Sequence, residues 1–145
     1  MTDLKLLALD ADDLSIISAH MQDAVFKVGD LSFSARSGLF SLAANRFVWE
    51  KAARASKSFE RRRAALSFKR VEAVRSIGFD RSRAEEVMSL LAIRYLPKGE
   101  GPEGVVELLL AGGATIALEV ECIEAQLADT GGAWETTTRP EHEAG

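Results

Sequence analysis

One cysteine and two histidines in 145 residues leave little material for thiol or metal chemistry. Cys122 has no partner for an internal disulfide, which fits a reducing cytoplasm. His20 and His142 stand far from Cys122 and from each other, and no CxxC, HExxH or two-His-carboxylate spacing occurs. The expectation is no metal and no cofactor. His20 is the one base available to a nucleophile, and no GxSxG elbow is present. No GxxxxGK[ST] or GxGxxG loop occurs; Gly99-Glu100-Gly101 and Gly112-Gly113 belong to turns. No apolar run approaches the roughly eighteen residues of a membrane span. The opening Met1-Thr2-Asp3-Leu4-Lys5 lacks the basic-then-apolar order of a leader. Three prolines and no Ser- or Pro-rich tract leave little room for a linker. What is present is a globular composition, 47% hydrophobic. It predicts a single domain over 1–135 and a flexible acidic tail over 136–145.

The net charge of −4 hides a division. Residues 51–75 hold nine Lys or Arg against Glu60 and Glu72, while residues 99–145 hold ten acids against Arg139 alone. Two opposite surfaces that pair, or a basic patch awaiting an anionic partner, both fit this pattern. The acidic total disfavours an avid, non-specific nucleic-acid binder without excluding RNA.

The spacing of Leu14, Ile17, Met21 and Ala24 predicts a helix near 11–24, with Asp10 as N-cap and Asp12 and Asp13 at the positive end of its dipole. Before it, Leu4, Leu6, Leu7 and Leu9 read as a short extended segment. From Val25 the period falls to two, and a hairpin of about 25–35 and 39–49 places Phe40, Leu42 and Ala44 on one face. Residues 50–60 read as a long mobile loop. A strand at 62–70 points Leu66 and Phe68 inward, and the slip at Arg70-Val71 predicts a bend dividing it from a further strand ending at Gly78. Val87 to Leu96 is apolar on both parities, as in a strand buried on two sides. Pro97 to Pro102 is a turn, and Gly112-Gly113 marks a hairpin between 105–111 and 114–119. Val120, Ile123 and Leu127 share a helical face, predicting a helix near 120–130 stopped by Gly131-Gly132.

The resulting class is α+β and β-rich: about seven antiparallel strands forming a partly open barrel or curved sheet, an N-terminal helix and a C-terminal capping helix. That element order is also that of pleckstrin-homology-like domains, an analogy that carries no function. A helix-backed antiparallel sheet uses the same elements.

Two segments stand out chemically. In Arg61-Arg62-Arg63, alternation places two guanidinium groups on one face and one on the other, forks suited to phosphate or carboxylate. In Asn45-Arg46-Phe47-Val48-Trp49-Glu50, Asn45, Phe47 and Trp49 share one parity. Trp49 there is either core or the wall of a groove. The candidate ligand-binding residues are therefore Arg46, Trp49, Arg61, Arg62 and Arg63, with no catalytic residue.

The run from Gln22 to Leu31, Ala44-Asn45-Arg46-Phe47 with Trp49-Glu50, the three arginines, and the late run Leu118 to Asp129 resemble a family of uncharacterised bacterial proteins found mainly in alphaproteobacteria. The resemblance covers nearly the whole chain. It implies a soluble, stand-alone cytoplasmic protein and carries over no activity, cofactor or site residue. The reading is a non-enzymatic binding or adaptor domain recognising a protein or anionic ligand. An RNA-associated protein using 51–75 and a small metal-free enzyme are the alternatives. Pairing of exposed strand edges makes a homodimer a further expectation.

Overall fold

A computed structural model describes residues 4–48 and 60–135. The mobile loop expected over 50–60 lies outside them except for Glu60, as do Trp49 and the tail expected from 136. The chain runs β1 (Lys5–Ala8), α1 (Ala11–Met21), β2 (Ala24–Lys27), a 3-10 turn (Val28–Asp30), β3 (Leu31–Ser34), β4 (Leu39–Phe47) and β5 (Glu60–Phe68). It continues through β6 (Val71–Ile77), β7 (Val87–Pro97), β8 (Gly104–Leu110), β9 (Thr115–Val120) and β10 (Ala125–Glu135). Among the described residues the fold is thus β-rich with one helix. Its ten antiparallel strands form one open sheet in the order β1-β10-β5-β4-β2-β7-β8-β9-β6, with β3 paired to β4 beside this path.

Alternation explains the central strands. Phe40, Leu42 and Ala44 on β4 and Ala64, Leu66 and Phe68 on β5 are all buried, and the two strands pair Phe40↔Phe68 and Leu42↔Leu66. Helix α1 begins where expected, with the Asp13 N–H donating to Asp10 Oδ1 at 2.8 Å. It ends at Met21, and Ala24 opens β2 instead of extending the apolar face of the helix. Leu14, Ile17 and Met21 enter the core, and α1 packs chiefly on β7 and β1. The Ser18 hydroxyl accepts from the Ile93 N–H at 2.8 Å.

The slip at Arg70-Val71 is a corner. Arg70 takes φ 62°, and the Lys69 N–H donates to the Glu124 carbonyl while the Glu121 N–H donates to that of Arg70. The antiparallel pair β5–β10 thereby continues around the bend as β6–β9. Gly112 and Gly113, both at φ 85°, turn the β8–β9 hairpin.

Three expectations are corrected. The helix near 120–130 is absent: β9 runs to Val120 and Ala125 opens β10, which pairs β1 on one side and β5 on the other. Ile123, Ala125 and Leu127 are buried on one parity, so period two prevails over the spacing of Val120, Ile123 and Leu127. Gly131 and Gly132 fall where four steps along β10 oppose two along β5, a bulge in place of a helix stop. Among the described residues no helix follows the strands and ten strands stand in place of seven, so the element order behind the pleckstrin-homology analogy does not occur there. Finally, β7 is not buried on both faces. A register shift between Leu90 and Ala92 leaves Leu91 exposed and flips the inward parity from Met88 and Leu90 to Ile93, which is why both parities read as apolar.

Candidate functional site

The same alternation that carries Phe40, Leu42 and Ala44 inward carries Arg46 inward after them, with no exposed surface. On β5 it carries Arg62 inward beside Arg46, its cross-strand partner. A buried guanidinium must find an acceptor, and β10 supplies one. Asp129 follows Ala125 and Leu127 on the inward parity, opposite Ala64. Arg46 Nε donates to Asp129 Oδ1 at 2.8 Å and Nη2 to Oδ2 at 3.1 Å, a bidentate fork between fully buried side chains. The Leu4 N–H donates to Oδ2 at 2.9 Å, and Arg62 Nη1 lies 4.0 Å from the same oxygen. The alanines Ala44 and Ala64, paired between these groups, leave room for the Arg46 stem to cross from β4 to β10. One carboxylate on β10 thus joins β4, β5 and Leu4, the residue that leads into β1.

Arg61 and Arg63 point the other way. Phe47 pairs with Arg61 and Asn45 with Arg63 on the outward face. Arg61 Nη1 donates to the Asn45 carbonyl at 3.3 Å, and its guanidinium carbon sits 5.8 Å from the centre of the Phe47 ring, a cation–π distance. Arg63 Nη1 donates to Asn45 Oδ1 at 3.4 Å, and Nη2 lies 3.5 Å from Asp30 Oδ2. Partial burial pushes the Arg61 guanidinium below its usual pKa, partly offset by the charge of Asp23. Asn45 is the shared anchor: its backbone and side chain hold two forks side by side on one strand entrance.

The five residues singled out from the sequence therefore do not line one groove. Arg46 and Arg62 belong to an internal ion cluster, Arg61 and Arg63 to an outward pair, and Trp49 lies outside the described residues. Asp129, which the sequence reading did not single out, is the centre of the internal cluster. Its signal was the inward parity of Ile123, Ala125 and Leu127, hidden by the helical reading of that segment. Farther along the basic stretch, Lys69 and Arg70 lie 3.5–3.9 Å from Glu121 and Glu124, so the basic and acidic thirds meet at the corner.

A separate cleft of about 550 Å³ opens between residues 78–86, the start of β7 and the β8–β9 turn, with Phe79, Met88 and Ala111 on its walls and Asp80, Arg83 and Glu86 at its polar edge. The Ser82 hydroxyl and N–H both donate to Asp80 Oδ1 and hold its carboxyl below the usual range. Among the described residues, no three His, Cys, Asp or Glu side chains are placed to hold a metal ion. No helix among them is long and apolar enough to cross a membrane.

No curated protein and no solved structure matches this chain. A family model does, described as a protein of unknown function (DUF2948), and it covers residues 4–142. The chain accordingly belongs to this family of proteins of unknown function, DUF2948.

Proposed function

We propose that the protein is a cytoplasmic, non-enzymatic binding module that recognises an acidic group on a partner through Arg61 and Arg63. The supporting observation is the double anchoring of this pair on Asn45, with Arg61 at cation–π distance from Phe47. Two arginine forks fixed two residues apart on a strand lose less side-chain freedom on binding than free surface arginines do. Arg46 and Arg62 hold the strands that carry the pair and do not meet the ligand themselves.

The test is co-purification from lysate at moderate salt, with and without nuclease. The proteins compared are the wild type, the Arg61→Glu/Arg63→Glu double variant, and Arg75→Glu on exposed β6 as a charge control. A stoichiometric, nuclease-resistant companion is expected with the wild type and with Arg75→Glu, and not with the double variant. Equal recovery by all three would remove the arginine pair from the site. Recovery of nuclease-sensitive material alone would favour an RNA-associated protein.

A further inference from the structure

The outward face of β7, β8, β9 and β6 is more apolar than a solvated sheet face ordinarily is. On it Leu96 pairs with Val105 in one row, Ala92 pairs with Leu109 in another, and Ile77 closes that second row at the β6 edge. Leu96 is 41% exposed and Ile77 51%, although both are large and apolar. Between these rows runs a third, Arg94-Glu107-Ala117-Arg75. Among the described residues no helix lies over this face, since α1 turns Leu14, Ile17 and Met21 into the core on the other side of the sheet.

The charges on the face sum to zero, so a copy of it is not repelled. Arg94 Nε donates to Glu107 Oε1 at 2.6 Å, which settles one pair within the chain. Arg75 on β6 and Glu119, in the row of Leu96, are the other two. Their side chains make no hydrogen bond or ion pair among the described residues. They stand one strand and two residues apart, roughly 8 Å at the usual sheet spacings. A two-fold axis lying in the face midway between them exchanges the two positions. On the same spacings that axis carries Leu96 and Val105 of one copy over Ile77 of the other, with the two sheets crossing steeply as in orthogonal packings. One operation thus satisfies both the unpaired charges and the exposed apolar residues.

We propose that this face is the contact between two copies of the chain, an isologous two-fold dimer in which Arg75 of each copy meets Glu119 of the other and Ile77 packs against Leu96 and Val105. The pairing is face to face and uses no strand edge. The face is small beside the roughly 800 Å² per partner of a standard interface, so the association is weak and reversible. It is independent of the arginine reading above, because Arg61 and Arg63 lie on β5, outside this face.

The test is sedimentation equilibrium of the full chain at low salt over a wide concentration range. The mass of the wild type should rise from that of the monomer toward twice that value. Arg75→Glu and Glu119→Arg should each weaken the dimer by about tenfold or more, because each turns two attractions per dimer into two repulsions. Mixed in equal amounts, these two variants should associate again, since one carries acids at both positions and the other carries bases at both. Ile77→Asp, at an exposed position, should leave a folded monomer by circular dichroism. A wild type that is still monomeric at about 0.5 mM, a dimer that survives all three substitutions, or folded single variants that fail to associate when mixed would each overturn the proposal. In the co-purification above, Arg75→Glu should lose the dimer and keep the companion, so failure of the dimer and failure of the arginine site are read separately.

Discussion

Replacing Asp129 with alanine should cost more stability than any change at the exposed arginines. The carboxylate accepts two hydrogen bonds from Arg46 and one from the Leu4 N–H, and Arg62 approaches to 4.0 Å. All of this lies out of water, so the discount that applies to surface pairs does not apply. Removing one member of a buried pair typically costs about 3–5 kcal/mol, because the remaining charge stays buried without its partner. Against a typical total of about 5–15 kcal/mol that is a large fraction, and at about 2–4 °C per kcal/mol it lowers the melting temperature by roughly 10 °C. The assay is urea denaturation followed by circular dichroism at low and high salt. The loss should be nearly independent of salt, since buried pairs are weakly screened. The double replacement Arg46→Met/Asp129→Leu should recover part of the loss, because it removes the desolvation costs of Arg46 and Asp129 while Arg62 and the Leu4 N–H still lose the carboxylate. A loss below about 1 kcal/mol for Asp129→Ala, the range of a surface pair, would refute the claim that this cluster ties β4, β5 and β10 to the residue before β1.

Other outcomes follow from single positions. Gly104→Ala should destabilise by about 1–3 kcal/mol, the range for overpacking, because a Cβ there would stand 2.5 Å from the Leu96 carbonyl oxygen; a neutral result in the same denaturation assay would contradict that close approach. Arg70→Gly should leave stability within about 1 kcal/mol of wild type, since relief of its positive φ offsets the loss of exposed ion pairs to Glu121 and Glu124. Asp80 should titrate below an ordinary aspartate in a carbon-detected NMR titration, and Ser82→Ala should move it upward. Its contribution to stability is present above the ordinary aspartate pKa and fades as the pH falls through the lowered one. Asp80 titrating at or above the ordinary value would contradict the turn geometry.

Period-two alternation was legible in β4 and β5, and with it the division of the three arginines between two faces. The α1 N-cap at Asp10, the break at Arg70 and the glycine turn at 112–113 were legible for the same reason: each is encoded within a few residues. The segment 120–130 was not legible, because its pattern serves two periods at once. Val120, Ile123 and Leu127 satisfy a helix, while Ile123, Ala125, Leu127 and Asp129 satisfy a strand. The choice falls to pairing with β5 and β1, which lie far away in the chain. Once that segment is read as a helix, Asp129 becomes one more acid of an acidic third, and the acceptor for Arg46 disappears from view. In β7 the difficulty was a single extra residue, since a bulge at Leu91 imitates two-sided burial.

By itself the sequence determined the local elements along most of the chain, the small supply of thiol and imidazole ligands, and the alternation that separates Arg62 from Arg61 and Arg63. Only the tertiary structure decided which face was inside. Arg46 and Asp129 stand 83 residues apart, and nothing local to either residue announces the other. Sheet register brings them together across Ala64, and burial then makes their pairing obligatory. Register likewise aligns Ala128, Ala65 and Ala43 from β10, β5 and β4 in one outward row. Periodicity within a strand says that two faces exist; pairing between distant strands says what each face becomes.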